Sequence, residues 1–179
     1  MGPATLITVG HGTLGADAFA ALVAGDYVEE LVDVRSFPGS RRHPHFARAQ
    51  MEEWLPQAGV AYRWEKPLGG FRTPRPDSPN VALRHRSFRG YADHMRTTEF
   101  VDALDRVVAD ASARAVAVMC SESLWWRCHR RLLADAVVLA RGLEVRHLLH
   151  DGTSEPHRLT DGARLGDDGL PVYDGGVLL

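Results

Sequence analysis

The chain has 179 residues, of which 45% are hydrophobic and 25% charged, and a formal net charge of -2. These values are typical of globular proteins and exclude a disordered, collagen-like or coiled-coil chain. The first residues, "MGPATLITVGHG", lack a basic region followed by an apolar one, and no apolar run approaches the roughly 18 residues of a membrane span. We therefore expect a soluble, cytoplasmic protein without a membrane partner. Two cysteines close together in sequence favour reduced thiols, or a local redox pair, over a secreted disulfide framework.

Apolar, β-prone runs alternate with segments of helical periodicity. Strands are predicted in "ATLITVGHG", which ends in a glycine-flanked turn, and in "ELVDVRS", "VAYRW", "RAVAVMC" and "LEVRHLLHDG". Helices are predicted in "AFAALVAG", "ARAQMEEWLPQAG", "SFRGYADHM", "TEFVDALDRVVADA" and "LWWRCHRRLLADAVVLARG". This alternation predicts an α/β fold: a mostly parallel five-stranded sheet with helices on both faces, in a Rossmann-like or rhodanese-like three-layer architecture.

One long segment, residues 66–86, fits neither pattern. It contains four prolines and two adjacent glycines, which predicts a long loop excursion. No repeat, low-complexity tract or linker divides the chain, so we expect a single domain over residues 1–179. The tail after Thr153 is rich in Gly and Asp and carries no clear packing signal.

The stretch "CSESLWWRCHRR", residues 120–131, concentrates the reactive side chains. Ligands of open α/β sheets bind beyond the carboxyl ends of the strands, and Cys120 ends the fourth predicted strand just before a predicted helix. Free N–H groups at a helix start lower a thiol pKa, and Arg127 and Arg130 favour both a thiolate and a bound anion. We therefore predict that Cys120 is a nucleophile; the alternative is a small buried hydrophobe.

Two further residues are predicted to be catalytic. Glu122, in the same turn as Cys120, suits a general acid or base, although helix capping explains it equally well. His11 lies between two glycines at the end of the first strand, a position that is expected to leave its ring accessible.

Cys128 and His129 are predicted to lie inside the helix, about two turns after Cys120. Adjacent helical side chains point roughly 100° apart, so we do not expect these residues to share one small ligand with Cys120. We predict structural or orienting roles for both. Their spacing matches no common zinc pattern, so no cofactor and no metal ligand is predicted, and a metal site is kept only as an alternative.

The strand-end sequence "DVR" places Asp33 and Arg35 on the same side of the second strand. An ion pair that braces the neighbouring loops is one interpretation, with Asp33 as an orienting residue. The other is a direct role in the site, in which Arg35 binds an anion.

The middle of the chain is basic, with twelve Lys or Arg against five Asp or Glu in residues 35–96. Arg41 and Arg42 begin this stretch and are predicted to bind an anion. Aromatic residues are interleaved with the arginines, a combination that suits phosphates and unstacked bases; one of them, Tyr91, is assigned an orienting role. We expect a small anionic or phosphorylated substrate, with nucleic acid as an alternative partner.

Five blocks of the sequence resemble a known family. "TVGHGT", "LVDVRSFPGSRRHPHF", "AYRWEKPLGGFR", "FRGYADHM" and "MCSESLWWRCHRRLLADAV" are similar, in this order, to the bacterial and archaeal family catalogued as domain of unknown function 488. The likeness runs from Ile7 to about His150, and its C-x-E and C-H-R elements contain Cys120, Glu122, Cys128, His129 and Arg130. The resemblance implies a compact α/β fold and names no reaction.

A second likeness is one of pattern only. "LVDVRS", "AVAVMCSES" and "RGLEVRHLLHDG" are similar to rhodanese domains, in which a strand-end cysteine carries persulfide sulfur. The loop after Cys120 lacks the glycine of rhodaneses, so sulfur transfer is an alternative prediction. The main prediction is an enzyme with an anion-binding site and a strand-end thiol, such as a cysteine-dependent transferase or hydrolase. A nucleic-acid or nucleotide binding module is the alternative from another class.

Overall fold

The computed structural model describes residues 4–176. The five predicted strands are β1 (Thr5–Gly10), β2 (Glu30–Asp33), β3 (Ala61–Trp64), β4 (Val116–Cys120) and β5 (Glu144–Leu148). The five helices are α1 (Ala16–Gly25), α2 (Arg48–Gln57), α3 (Arg86–His94), α4 (Thr98–Ala113) and α5 (Arg130–Arg141). No helix within residues 4–176 has the length and apolar character to cross a membrane. The predicted domain limits, residues 1 and 179, lie outside the described residues.

The central sheet has the strand order β3-β2-β4-β1-β5-β6, where β6 comprises Ser154–Pro156. The first five strands are parallel, and β6 pairs antiparallel with β5. The predicted α/β fold with a mostly parallel sheet is therefore confirmed, and the sheet has one more strand than expected. The extra strand comes from the tail, which turns back along β5 and continues into the hairpin of β7 (Arg164–Leu165) and β8 (Pro171–Val172).

Helices pack against both faces of the sheet, so the protein has three layers: helices, sheet and helices. Side chains of successive residues in β4 alternate between the faces: Val118 packs with α3, α4 and α5, and Met119 packs with α1 and α2. Phe100 of α4 and Phe19 of α1 are fully buried on the two sides. Burying a side chain of this size contributes about 1.5–3 kcal/mol. Cys120 shares the face of Val118, so its sulfur points toward α5.

The start of α5 differs from the prediction. The segment predicted as one helix from Leu124 is instead a short 3-10 turn, Trp125–Arg127, followed by an α-helix that begins at Arg130. Tertiary contacts hold the turn: the Trp125 ring stacks on His147 with a centroid distance of 4.0 Å, and its indole N–H donates to Glu155 Oε1. The prediction that Cys120 directly precedes a helix is therefore wrong, and Cys128 is the cysteine at the helix start.

The predicted loop excursion lies between a 3-10 turn, Lys66–Leu68, and α3. Asp93 of α3 anchors it, since its carboxylate accepts hydrogen bonds from the Arg75 backbone N–H (2.8 Å), the Ser78 hydroxyl (2.7 Å) and the Asn80 side-chain amide (2.8 Å). The loop belongs to no helix or sheet, so it lacks the regular backbone hydrogen bonds of such elements. The charge-assisted hydrogen bonds to Asp93 satisfy some of its polar groups instead. The loop is thereby held above the carboxyl edge of the sheet.

Candidate functional site

The three central strands β2, β4 and β1 end side by side at one edge of the sheet. Beyond β1, the His11 N–H donates to the Cys120 carbonyl at 3.0 Å, so the two strand ends stay in register. A cleft of about 240 Å³ opens above Cys120, and a second cleft of about 460 Å³ lies beside it. Arg35 and Glu122 line both clefts. The predicted strand-end residues are therefore brought together at one place.

Two thiols form the floor of the smaller cleft. Cys120 Sγ and Cys128 Sγ are 2.6 Å apart, and both cysteines are free. Cys128 is 6% exposed and Cys120 is 2% exposed. The prediction that Cys128 lies inside the helix is wrong, because α5 begins at Arg130 and Cys128 turns back onto the end of β4.

His129 lies against this thiol pair. Its Nε2 is 2.8 Å from the Val34 carbonyl, which can only accept, so Nε2 carries the ring proton. Burial lowers the pKa of His129, which keeps the ring neutral and leaves an unprotonated Nδ1 at 3.4 Å from Cys128 Sγ. The Tyr91 ring packs on the imidazole at a centroid distance of 5.2 Å, and its hydroxyl donates to the Leu68 carbonyl at 2.8 Å. His129 is therefore placed as an acceptor for the Cys128 thiol proton.

Arg130 is buried, with 1% of its surface exposed, and lies beneath the same sulfurs. Its Nε donates to Cys120 Sγ at 3.0 Å, Nη2 donates to the Glu122 carbonyl at 2.5 Å, and Nη1 donates to Thr8 Oγ1 at 3.1 Å. Within residues 4–176 no carboxylate contacts this guanidinium. A buried cation without a paired carboxylate favours an anion close to it, and the sulfurs are the groups in contact that can ionise.

The two cysteines differ in acidity. Burial alone raises the pKa of Cys128, but the hydrogen bond from Cys120 and the charge of Arg130 outweigh burial and lower the pKa to about 7. Burial and the hydrogen bond to Cys128 raise the pKa of Cys120 well above its ordinary value. Since the thiols are in contact, they titrate as a coupled pair, and Cys128 is the sulfur that its neighbours favour as the thiolate.

A buried chain of hydrogen bonds extends from Arg130 into the protein. Thr8 Oγ1 lies 2.6 Å from His147 Nδ1, His147 Nε2 lies 3.0 Å from His157 Nδ1, and His157 Nε2 lies 2.8 Å from Asp135 Oδ1. Arg130, at one end of the chain, can only donate hydrogen bonds, and Asp135, at the other end, can only accept them. Each group between them can therefore accept one hydrogen bond from the group before it and donate one to the group after it. We call this set, from Thr8 to Asp135, the histidine relay.

The histidine relay connects a buried cation to a buried anion across the core. Asp135 is fully buried, and its other oxygen accepts from the Tyr173 hydroxyl at 2.8 Å. Burial, together with the charges of His157 and Arg130, lowers the pKa of His147 to about 2, which keeps its ring neutral. No pattern in the sequence indicates the relay, because its members lie on β1, β5, α5 and the tail and share no sequence spacing.

The strand-end pair of β2 is an ion pair. The Arg35 guanidinium donates to both carboxylate oxygens of Asp33, at 2.9 and 2.6 Å, and also to the Phe46 carbonyl at 2.7 Å. Tyr62 adds a hydrogen bond to the same carboxylate at 2.6 Å. This bidentate geometry braces the loop after β2, as the structural interpretation predicts. Anion binding by Arg35 stays a prediction.

His11 and Glu122, the two remaining candidates for catalysis, are both held by contacts within the protein. His11 is 2% exposed and stacks on Phe46 at a centroid distance of 4.0 Å, so the predicted accessible ring is wrong. Burial lowers the pKa of His11 to about 4, and its Nδ1 lies 2.9 Å from the Gly12 carbonyl. Glu122 Oε1 accepts the Leu124 backbone N–H at 3.1 Å, which is the local capping role.

The rim of the clefts combines arginines with aromatic rings. Arg127 lines the smaller cleft and Arg42 lines the larger one, and both side chains are exposed, as is Arg41. Within residues 4–176 none of these three guanidinium groups has a hydrogen bond or an ion pair. Phe37 and Phe71, which also line the smaller cleft, are 75% and 85% exposed. The rim therefore offers unneutralised positive charge and apolar surface together.

The thiol pair and His129 do not form a recognisable metal centre. Across the described part of the chain, no group of three or more His, Cys, Asp and Glu side chains has a geometry that could hold a metal ion. His129 Nε2 is also engaged by a carbonyl, which leaves one ring nitrogen facing the sulfurs.

These observations define a class: an α/β protein with a parallel sheet whose central strand ends carry two contacting thiols beneath a basic, aromatic-rimmed cleft. The chain belongs to the family described as domain of unknown function DUF488, whose model matches residues 15–137. The match includes the thiol pair, His129, Arg130 and Asp135, and it ends before β5 and the tail. Comparison with curated proteins found no match, and comparison with solved structures found none either. The rhodanese likeness stays a prediction.

Proposed function

We propose that this protein is a cysteine-dependent enzyme in which the Cys128 thiolate attacks a small anionic substrate bound in the cleft. The observation that carries this proposal is the contact of Cys128 with Cys120, His129 and Arg130 at the cleft floor. Cys128 replaces Cys120, the nucleophile that the sequence predicts, because it is the more exposed of the two and has the lower pKa.

Activation of Cys128 follows from its neighbours. His129 Nδ1, at 3.4 Å, accepts a hydrogen bond from the Cys128 thiol, and the charge of Arg130 stabilises the thiolate once the proton has left. Backbone N–H groups at the start of α5 add to the positive potential at the sulfur. These are the elements of a Cys–His nucleophile, with Tyr91 and the Val34 carbonyl holding the imidazole in orientation.

The charge of the rim supports an anionic substrate. Arg127 and Arg42 line the two clefts without a carboxylate partner in residues 4–176, so an incoming anion gains their full attraction. Phe37 and Phe71 supply apolar walls for the body of the substrate. Glu122 lines both clefts, and in this proposal it donates or accepts a proton at the substrate.

Alkylation by two reagents of different charge tests the proposal. Reduced protein is treated with neutral iodoacetamide or anionic iodoacetate, and peptide mass spectrometry locates the label. We expect Cys128 to react first, with a rate that is half-maximal near pH 7, and Cys128→Ser to lose the fast reaction while Cys120→Ser retains it. Fast labelling confined to Cys120, or no labelling in the folded state, would refute the proposal.

Two arginine variants test whether the cleft favours the anionic reagent over the neutral one. Arg127→Met is expected to reduce the rate with iodoacetate several-fold more than the rate with iodoacetamide, because only the anion is attracted to the guanidinium. Arg158 is exposed and lines neither cleft, so Arg158→Met should leave the ratio of the two rates unchanged. Equal ratios in the two variants would contradict the assignment of Arg127.

A second candidate function is binding of single-stranded nucleic acid. It rests on the exposed rings of Phe37 and Phe71 close to unpaired arginines, since bases stack on such rings while arginines contact phosphates. Fluorescence titration with a short labelled oligonucleotide separates the candidates. Affinity that falls steeply with rising salt supports binding, and its absence at low salt removes this candidate.

A further inference from the structure

We propose that Cys120 is a resolving thiol and that the substrate class is a small anionic organic disulfide, which the thiol pair reduces. This inference rests on the proposed function of Cys128 and adds a partner for it. The observation that carries it is the direct contact of the two sulfurs at 2.6 Å, on the floor of a cleft whose rim is basic.

The reaction has two displacement steps. The Cys128 thiolate attacks one sulfur of the substrate RS–SR′, so that a Cys128–SR mixed disulfide forms and R′S⁻ leaves. Cys120 Sγ then attacks Cys128 Sγ, the mixed disulfide breaks, and RS⁻ leaves with the Cys120 proton as RSH. The substrate gains two electrons and the two cysteines lose them as they join in a disulfide. Two molecules of a low-molecular-mass thiol R″SH, as co-substrate, return the pair to the dithiol and leave as the disulfide R″S–SR″.

The positions of the cysteines suit the second step. The two sulfurs are in direct contact, and the 3-10 turn of Trp125–Arg127 immediately precedes Cys128. Arg130 Nε donates to Cys120 Sγ at 3.0 Å, so the guanidinium stabilises negative charge on Cys120 as its proton leaves.

The size and charge of the cleft restrict the substrate. A cleft of about 240 Å³ admits a small molecule, and thiols with 6% and 2% exposure are out of reach of a folded protein's disulfide. Arg127 at the rim, with Phe37 and Phe71 on the walls, favours an anionic compound with an apolar or aromatic body. We therefore infer a small molecule as the substrate.

The chromogenic disulfide dithiobis(nitrobenzoate), which is anionic and aromatic, is the probe. Reduced wild-type protein should release two coloured thiolates for each chain and end with a Cys120–Cys128 disulfide and no adduct, as seen by mass spectrometry. Cys120→Ser should release one thiolate and keep the adduct on Cys128. Cystamine, a cationic disulfide, should be disfavoured against the anionic probe by at least about tenfold with wild-type protein, after each rate is divided by the rate of the same disulfide with a free small thiol. This division is needed because the leaving thiolates of the two reagents differ in pKa.

The outcomes separate the two proposals. Fast reaction of Cys128 with a lasting adduct in wild-type protein would overturn the resolving role and leave the nucleophile intact. Slow reaction of Cys128 itself would overturn both. Equal rates with cystamine and the anionic probe, after division by their rates with a free thiol, would overturn the inferred charge of the substrate. Equilibration of wild-type protein in mixtures of oxidised and reduced dithiothreitol needs no variant: failure of the Cys120–Cys128 disulfide to form there would also overturn the inference.

Discussion

Arg130 donates through Nε to Cys120 Sγ at 3.0 Å, and no carboxylate in residues 4–176 shares this guanidinium. Its other nitrogens donate to the Glu122 carbonyl and to Thr8 Oγ1. The nearest group in the hydrogen-bond chain that carries full negative charge is Asp135, at the far end of the histidine relay. The field of the cation at the sulfurs is consequently not cancelled by an adjacent acid, which is the condition for a stable thiolate in a buried site.

Replacement of Arg130 is the first test of this arrangement. In Arg130→Met the pKa of Cys128 should rise from about 7 toward the ordinary value of 9.0, because the thiolate loses its counter-charge. The rate of alkylation at pH 7 should fall by about tenfold or more, since the thiolate is the reactive form. The pH dependence of iodoacetamide labelling measures both effects.

Arg131→Met is the control for that variant. Arg131 is the next residue, but its guanidinium donates to Thr160 Oγ1 at 2.7 Å and contacts neither sulfur. This control should keep the wild-type pH profile. A profile for Arg130→Met that coincides with wild type would show that the guanidinium does not set the acidity of the thiols.

Thr8 links Arg130 to the histidine relay, so we expect a substitution of Thr8 to change the pKa of Cys128. Thr8→Val keeps the shape of the side chain but removes the acceptor for Arg130 Nη1 and the donor to His147, so the guanidinium loses its alignment. The pKa of Cys128 should rise, while the labelling rate at high pH, where the thiolate is fully formed, should stay unchanged. Thr8→Ser restores the hydroxyl and should rescue the profile. A purely structural role predicts no shift in either variant.

His147 should make stability depend on pH. Its pKa is lowered from 6.5 to about 2, mainly by burial, so below pH 6.5 the unfolded chain binds a proton that the folded protein does not. The free energy of unfolding should therefore fall as the pH drops below 6.5, with a contribution from this group of about 1.4 kcal/mol per pH unit. Urea denaturation at several pH values measures the slope.

His147→Gln removes the titrating group, so its slope between about pH 5 and pH 6.5 should be shallower than that of wild type by roughly this amount. His85 is exposed, and His85→Gln should keep the wild-type slope. An unchanged slope in His147→Gln would mean that the ring is already protonated in the folded state.

We expect Tyr173, a residue of the tail, to stabilise the packing of the tail against α5. Its ring is fully buried, and its hydroxyl donates to the buried carboxylate of Asp135 at 2.8 Å. Tyr173→Phe leaves that oxygen one donor short, which should lower the free energy of unfolding by about 1.5–3 kcal/mol. Tyr27 is 84% exposed, so Tyr27→Phe should change stability by less than about 0.5 kcal/mol. Equal stability of the two variants, by urea denaturation, would exclude a stabilising contact at Asp135.

Local patterns in the sequence were sufficient for much of the fold. Alternating apolar periodicity located β1 to β5 and the order of the helices, because the period of apolar residues reports which faces are buried. The same patterns placed Cys120, His11 and Arg35 at strand ends, and "DVR" indicated the Asp33–Arg35 pair.

The start of α5 shows where local patterns fail. Nothing in "LWWRCHRR" ends a helical pattern, yet the stacking of Trp125 on His147, 22 positions along the chain, holds residues 125–127 in a 3-10 turn. That turn delivers Cys128 to Cys120.

By itself, the sequence determined the α/β class, the positions of the parallel strands and the set of reactive residues at the strand ends. Only the tertiary structure decided which of these residues meet: the two sulfurs, the hydrogen bond from Thr8 to His147 and the burial of Asp135 beneath the tail. The physical reason is that such contacts depend on strand order and on packing between distant segments. Apolar periodicity does not encode either of these, since it records burial within each element and not its neighbours.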